Sequence, residues 1–212
     1  VETRVHWSEK DMMLKLSVPV PGGDYTYLGQ VAYGFQELPS NGDEAVAQKW
    51  TAVVSKDGDR ALTCINDGTY GSDFSPDHGL RLTLLRSPAY SAHPIFDRPL
   101  VPQDRYTPRI DQGERFFRFC LNAGPADERL ARIDREALVR NEKPFVISFF
   151  PAGLGKPMQP FAVLSDDAVQ MTAAKQAQDS RGLIIRLFEP TGQPRKTTLS
   201  LPFCGLEYEV SL

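Results

Sequence analysis

A chain of 212 residues with 41% hydrophobic and 10% aromatic side chains has room for one large domain or two small ones around a real core. Its 24 basic and 27 acidic residues leave a formal net charge of -3, which supplies neither a basic field for nucleic acid nor an acidic tail. No run nears the roughly eighteen apolar residues of a membrane-spanning helix, so neither nucleic acid nor a membrane is expected as a partner.

The 17 prolines and 16 glycines are spread along the chain and leave most intervening segments too short for helices. Residues 13–20 alternate weakly as a strand. Residues 25–35 are aromatic and β-branched, with Gly29 and Gly34 suited to bulges or close backbone approach. A polar, turn-rich link follows over 36–45. Residues 50–54 and 61–65 read as strands of a hairpin around Asp57-Gly58-Asp59. Over 80–85 the chain alternates, with Leu80, Leu82 and Leu84 on one face and Arg81, Thr83 and Leu85 on the other. Residues 87–113 form a long, proline-rich connection of the kind that is usually functional or loosely ordered. Strand character resumes at 115–121.

One helix stands out over 126–141, free of Pro and Gly, with Leu130, Ile133, Ala137 and Leu138 on one stripe. Glu128, Arg129, Arg132, Asp134, Arg135 and Arg140 read as its solvated face, and Pro125 and Pro144 as its limits. Beyond it, residues 145–150, 158–164, 169–174, 182–189, 196–201 and 206–212 are strand candidates. Short strands at near-regular spacing indicate an all-β fold, mainly an antiparallel β-sandwich, with one amphipathic helix. A boundary near Glu142 divides the chain into 1–142 and 143–212.

The catalytic inventory is thin. His6, His78 and His93 show no local metal-ligand spacing, and no nucleophile elbow, P-loop or dinucleotide fingerprint occurs. No catalytic residue and no metal ligand is therefore assigned. Pro21-Gly22-Gly23-Asp24 reads as a hairpin turn. Cys64, Cys120 and Cys204 are far apart and outside any C-x-x-C, so buried thiols in a reducing, cytoplasmic setting are expected. The opening Val-Glu-Thr-Arg-Val has no initiator Met or signal-peptide core, which suggests processing or, preferably, an excised fragment.

Two places are suggestive. Asn66-Asp67-Gly68-Thr69-Tyr70-Gly71 follows an apolar strand; it is either a sugar-contacting loop, with Tyr70 as a stacking face and Asp67 holding hydroxyls, or a tight turn, and residue types favour the turn. Arg86 ends the alternating strand before Ser87-Pro88, as a ligand anchor or, on residue type alone, a surface charge.

These stretches carry a resemblance. Residues 61–73 (ALTCINDGTYGSD) with 80–88 (LRLTLLRSP) resemble the "A-L-x-N-D-x-K-Y-G-x-D … L-R-L-T-L-L-R-S-P" signature of family 38 α-mannosidases. Residues 5–9 (VHWSE) resemble the family's "V-D-W-H-E", with His6 and Ser8 substituted. Residues 111–119 (DQGERFFRF) resemble "D-x-G-x-H-x-F-x-Y", with Arg115 in place of histidine. Residues 173–179 and 182–192 resemble the family's terminal strand pair, and the likeness runs from about Val5 to Leu212.

The resemblance implies the later part of a large galactose-mutarotase-like supersandwich in 1–142 and a small β-sandwich in 143–212. It implies that the catalytic carboxylates and the zinc belong to an N-terminal barrel, with no cofactor in this piece. The barrel of the same polypeptide is then the expected partner, and mannosides or glycans meet the whole enzyme. The same likeness raises Arg86 to a pocket-rim residue and gives Asp67 and Tyr70 a position without a defined role. The leading expectation is a non-catalytic region that scaffolds the barrel and completes its sugar pocket. The alternatives are a carbohydrate-binding module stacking sugars on Tyr25, Tyr27, Tyr70 and Tyr90, or a purely structural interaction domain.

Overall fold

Frequent prolines, glycines and polar turns cut the chain into short extended segments, and in the computed structural model these segments pair into four antiparallel sheets. The structure describes residues 1–89, 106, 108–148, 155 and 159–212. In chain order the first elements are β1 (Glu2–Trp7), β2 (Met13–Val18), β3 (Tyr25–Val31), β4 (Gly34–Glu37), β5 (Ala45–Val46), β6 (Trp50–Ser55), β7 (Arg60–Asn66), β8 (Gly71–Ser75) and β9 (Gly79–Arg86). They are followed by β10 (Gly113–Pro125), α1 (Ala126–Asn141), β11 (Val163–Leu164), β12 (Gln170–Gln176), β13 (Leu183–Phe188), β14 (Lys196–Leu201) and β15 (Leu206–Ser211).

A six-stranded sheet runs β1-β10-β7-β6-β3-β4, and a four-stranded sheet runs β2-β9-β8-β5. They share one core, in which Tyr27, Val53, Cys64 and Phe119 meet Phe74, Leu80 and Leu82. The opposite face of the larger sheet is covered by α1, where Trp50, Ala52 and Ile65 pack on Ile133 and Ala137. Strands β6 and β7 are thus apolar on both sides, which explains buried runs where a half-exposed strand would alternate. Gly29 is needed in this layer because a Cβ there would lie 2.5 Å from Leu38 Cδ1.

Strand β10 links the layers. Its first half pairs with β1 (Glu2 opposite Arg118), and its second half pairs with β7 (Phe119 opposite Asn66). It runs straight into α1 at Pro125, whose φ of -54° suits a helix start although no side chain caps it. Asp127 and Glu128 in the first turn and Arg140 in the last complement the helix dipole.

The helix and the hairpins lie where the sequence puts them, with corrections. Residues 25–35 are not one strand, because Tyr33 at φ 58° turns the chain between β3 and β4. Arg129 and Asp134 are not on the solvated face of α1; both are buried. Arg129 donates to Thr63 Oγ1 (3.1 Å) and Glu136, while Asp134 accepts from Gln30 Nε2 (2.6 Å) and Trp50 Nε1 (3.2 Å). Burial pushes the Asp134 carboxyl up against those donated bonds. Residues 145–148 are not a strand; Phe145, Val146 and Ile147 are exposed, and residues 149–150 lie outside the described ones. The 158–164 candidate reduces to β11, with residue 158 outside the described ones. Cys64 is buried, which pushes its thiol up to about 12, whereas Cys204 is exposed.

Strands β11-β14-β15 and β12-β13 form the smaller C-terminal sheets, with Val169, Leu199 and Leu201 buried. Glu189 organises the turn after β13, accepting from the N–H groups of Thr191 (2.8 Å), Gly192 (2.6 Å) and Gln193 (3.1 Å) and from Arg195 Nε (3.1 Å). Burial works against the charged Glu189, but the donated bonds outweigh it and hold its carboxyl below the usual range.

Two outcomes follow from this packing. Ile133→Ala should cost about 2–5 kcal/mol in urea unfolding, since it opens a cavity under the doubly covered strands. Because the Glu189 pKa is depressed on folding, its contribution is present above 4.5 and fades as pH falls through the folded value. Thermal melts from neutral to acid pH should therefore show a steeper acid loss in the parent than in Glu189→Gln.

Candidate functional site

Strand β9 delivers Arg86 to the end of the four-stranded sheet. Strict alternation from Leu80, Leu82 and Leu84 would aim Arg86 into the core. A register shift prevents this: Lys15 pairs with Thr83 but Leu14 pairs with Leu85, which leaves Leu84 as an extra residue. Leu85 takes the buried place at 4% exposure, and Arg86 emerges into solvent.

The backbone at Arg86 is clamped. Its N–H donates to Asp111 Oδ2 at 3.1 Å. The next residue, Ser87, is fully buried; its Oγ accepts from the Met12 N–H (3.2 Å) and its N–H donates to the Met12 carbonyl (2.9 Å). Its carbonyl accepts from the Asp11 N–H at 2.7 Å, and Asp11 in turn holds Arg109 through bonds of 2.8 and 3.0 Å. Asp11 and Asp111 both adopt positive φ (53° and 55°), a conformation aspartate tolerates better than most residues. The Arg86 guanidinium, by contrast, has no hydrogen-bond or ion-pair partner among the described residues, although its main chain is held from two sides.

Asp67 and Tyr70 lie on the loop from β7 to β8. Gly68 takes φ 83°, so this is the tight turn that residue type favours. Both side chains also line one open groove of about 620 Å³, with Val46, Lys49, Asn141 and Glu142. Tyr70 is 54% exposed. Asp67 Oδ2 is 3.9 Å from Arg118 Nη1, which also belongs to a second groove with Arg135, Arg140 and Lys143. Arg86 lines neither groove, so the structure groups Asp67 with Tyr70 and leaves Arg86 apart. His6 and His78 are exposed, and His93 and Tyr90 lie outside the described residues. Among the described residues, no three His, Cys, Asp or Glu side chains gather into a group able to hold a metal ion.

The comparisons match both parts of the chain. The family model "Glycosyl hydrolases family 38 C-terminal domain" matches residues 1–102, and "Glycosyl hydrolases family 38 C-terminal beta sandwich domain" matches residues 168–212. The chain belongs to glycosyl hydrolase family 38, as its C-terminal β-sandwich region. Two solved structures share the fold. One is a family 38 glycosyl hydrolase from Enterococcus faecalis, with a TM-score of 0.73 and 21% identity over 94% of this chain and 23% of that one. The other is an α-mannosidase from Enterococcus faecalis V583, with a TM-score of 0.73 and 18% identity over 95% of this chain and 23% of that one. The chain thus spans about a quarter of the length of those proteins. No curated protein matches its sequence.

Within this family 38 region the geometry sorts the residues of the signature. Several are structural. Asn66 is buried and ties the Gln48 carbonyl at 2.7 Å, and a Cβ on Gly71 would meet Glu44 Oε1 at 2.6 Å. The Asp73 side chain is fully buried between Lys15 and Arg81, the latter at 2.7 Å. Burial favours the neutral Lys15 amine, but its bonds to Asp73 and Glu44 outweigh that and raise its pKa. Removing both cations would leave Asp73 an uncompensated buried charge, a large loss, whereas either one alone still pairs with it. Within residues 61–73 and 80–88 the exposed side chains are those of Asp67, Tyr70 and Arg86. The clamp residues Asp11 and Arg109 escaped sequence reasoning, because neither stands in a recognisable spacing with Ser87.

The clamp predicts a contrast between neighbours. Ser87→Ala should destabilise the chain by roughly 1–3 kcal/mol, since it strips the Met12 N–H of its partner. Arg86→Ala should stay within about 0.5 kcal/mol of the parent in the same urea titration, because its head group makes no hydrogen bond or ion pair among the described residues.

Proposed function

We propose that this chain is the non-catalytic C-terminal region of an α-mannosidase-like glycoside hydrolase, and that Arg86 completes the rim of the sugar pocket formed with its catalytic barrel. The observation that carries the reading is the Arg86 arrangement: a bulge turns the residue outward, five backbone-directed bonds fix its surroundings, and its guanidinium has no hydrogen-bond or ion-pair partner among the described residues. Fixing a cation's base while leaving its head unpaired is a poor way to stabilise a fold and a good way to present a donor fork to an external oxygen.

The barrel is the partner this reading requires, with the two catalytic carboxylates and the zinc on that part. Zinc would bind sugar hydroxyls there, while this chain's own contribution is positional and electrostatic. Exposed apolar side chains support a covering protein surface. Phe145 is 87% and Val146 83% exposed, and Phe161 stacks on the exposed Phe203 with centroids 5.3 Å apart. Asp67 and Tyr70 belong to a separate groove and act, in this reading, as secondary contacts.

The test uses the chain joined to its upstream sequence. Arg86→Ala should lower kcat/KM for an aryl α-mannoside by roughly tenfold or more, the worth of a charge-assisted hydrogen bond, with thermal stability unchanged. Unaltered kinetics in a folded variant would contradict the rim role. Enzyme-like hydrolysis by residues 1–212 alone would contradict the non-catalytic assignment.

A further inference from the structure

A groove of about 520 Å³ runs between the outer flank of α1, the middle of β10 and the end of β7, within the volume range of small-molecule sites. Its walls carry four cations, Arg118, Arg135, Arg140 and Lys143, against two carboxylates, Asp67 and Glu136. Both carboxylates are already matched. Glu136 takes two bonds from the buried Arg129 (2.9 and 2.6 Å), and Asp67 lies 3.9 Å from Arg118, which also holds Glu2 at 3.0 Å. Arg135, Arg140 and Lys143 are left with no hydrogen bond or ion pair among the described residues, and all three are exposed. The chain as a whole carries a net charge of -3, so this local excess of cations does not follow from composition. The helix dipole favours Arg140 in the last turn of α1 but not Arg135, more than a turn earlier. Ile65, Cys120 and Val139 supply the apolar part of the lining, and Val139 is 63% exposed.

We propose that this groove binds a small organic polyanion, a molecule carrying two or more carboxylate or phosphate groups on a short hydrocarbon body. The cations set the charge. Arg135 and Arg140 offer planar donor forks that match an oxyanion through two parallel bonds, and Lys143 adds a point charge on a flexible stem. All three side chains reach solvent, so a ligand meets them without breaking a bond of the fold. The apolar lining sets the rest. A bare inorganic ion would leave Val139 in water, whereas a hydrocarbon body covers it while the charged ends meet the cations. A neutral saccharide would leave the three cations unpaired. The inference stands apart from the Arg86 reading, because Arg86 does not line the groove.

Titration of the chain 1–212 with citrate, followed by nitrogen–proton NMR at physiological ionic strength, tests it, because salt at that level screens the general field of the protein. The backbone amides of Cys120, Val139 and Lys143 are the reporters, and they should shift saturably. Inorganic phosphate, which has the charge without the hydrocarbon, should bind more weakly. Arg135→Gln and Lys143→Gln should each weaken citrate roughly threefold to tenfold, the worth of a solvent-exposed charge-assisted bond, with Tm unchanged. Arg132 is exposed on the same helix but outside the groove, and Arg132→Gln should leave citrate affinity within about twofold of the parent. Three results would overturn the proposal: no saturable shift of the reporters with citrate, inorganic phosphate matching citrate in affinity, or Arg132→Gln weakening citrate as much as Arg135→Gln. Should a variant fail to fold, the comparison of citrate with phosphate on the parent chain still decides.

Discussion

The β6–β7 hairpin is packed from both sides, by the four-stranded sheet through Val53 and Cys64 and by α1 through Trp50, Ala52 and Ile65. Apolarity on both faces gives burial but little register, because a slip would exchange one apolar set for another. Register comes from polar groups inside the layers. Trp50 Nε1 reaches Asp134, and Thr63 Oγ1 accepts from Arg129 and donates to the Asn122 carbonyl at 3.0 Å. Those bonds exist in one alignment of hairpin and helix, and each would be an unsatisfied buried group in any other. The end of the helix then fixes the β7–β8 loop, as Asn141 Nδ2 donates to the Asn66 carbonyl at 3.1 Å. Asp67 and Tyr70 inherit their positions from that tie.

Much of this was legible locally. The Asp57-Gly58-Asp59 turn, the Leu80–Leu82 alternation and the proline-free stretch of α1 follow from φ preference and side-chain period, and all three hold in the structure. What was not legible depends on distant partners. Arg129 and Asp134 look solvated on a helical wheel, and only Thr63, Gln30 and Trp50 across the sheet make them interior residues. The bulge at Leu84 leaves no mark in the sequence, since Leu84 and Leu85 are the same residue type and only pairing with Leu14 and Lys15 tells them apart. The apolar run at 145–150 shows the reverse error: it reads as a strand, whereas residues 145–148 form none and Phe145, Val146 and Ile147 lie exposed.

The candidate site repeats that division. The family signature is readable as a string, but its residues serve different ends. Asn66, Gly71, Asp73 and Arg81 hold the two sheets and their loops together, and Ser87 locks the end of β9 to the start of β2. Resemblance alone weights all of them equally. Burial and pairing separate the structural majority from Arg86, whose chain is fixed and whose charge is not used within the described residues.

The central claim is that Arg86 faces another part of the same enzyme rather than open water. Placing a photo-crosslinking amino acid at position 86 of the chain joined to its upstream sequence, and mapping the products by mass spectrometry, addresses it directly. The account predicts crosslinks to the catalytic barrel that are suppressed by a competitive sugar ligand. Products confined to residues 1–212, insensitive to such a ligand, would contradict it.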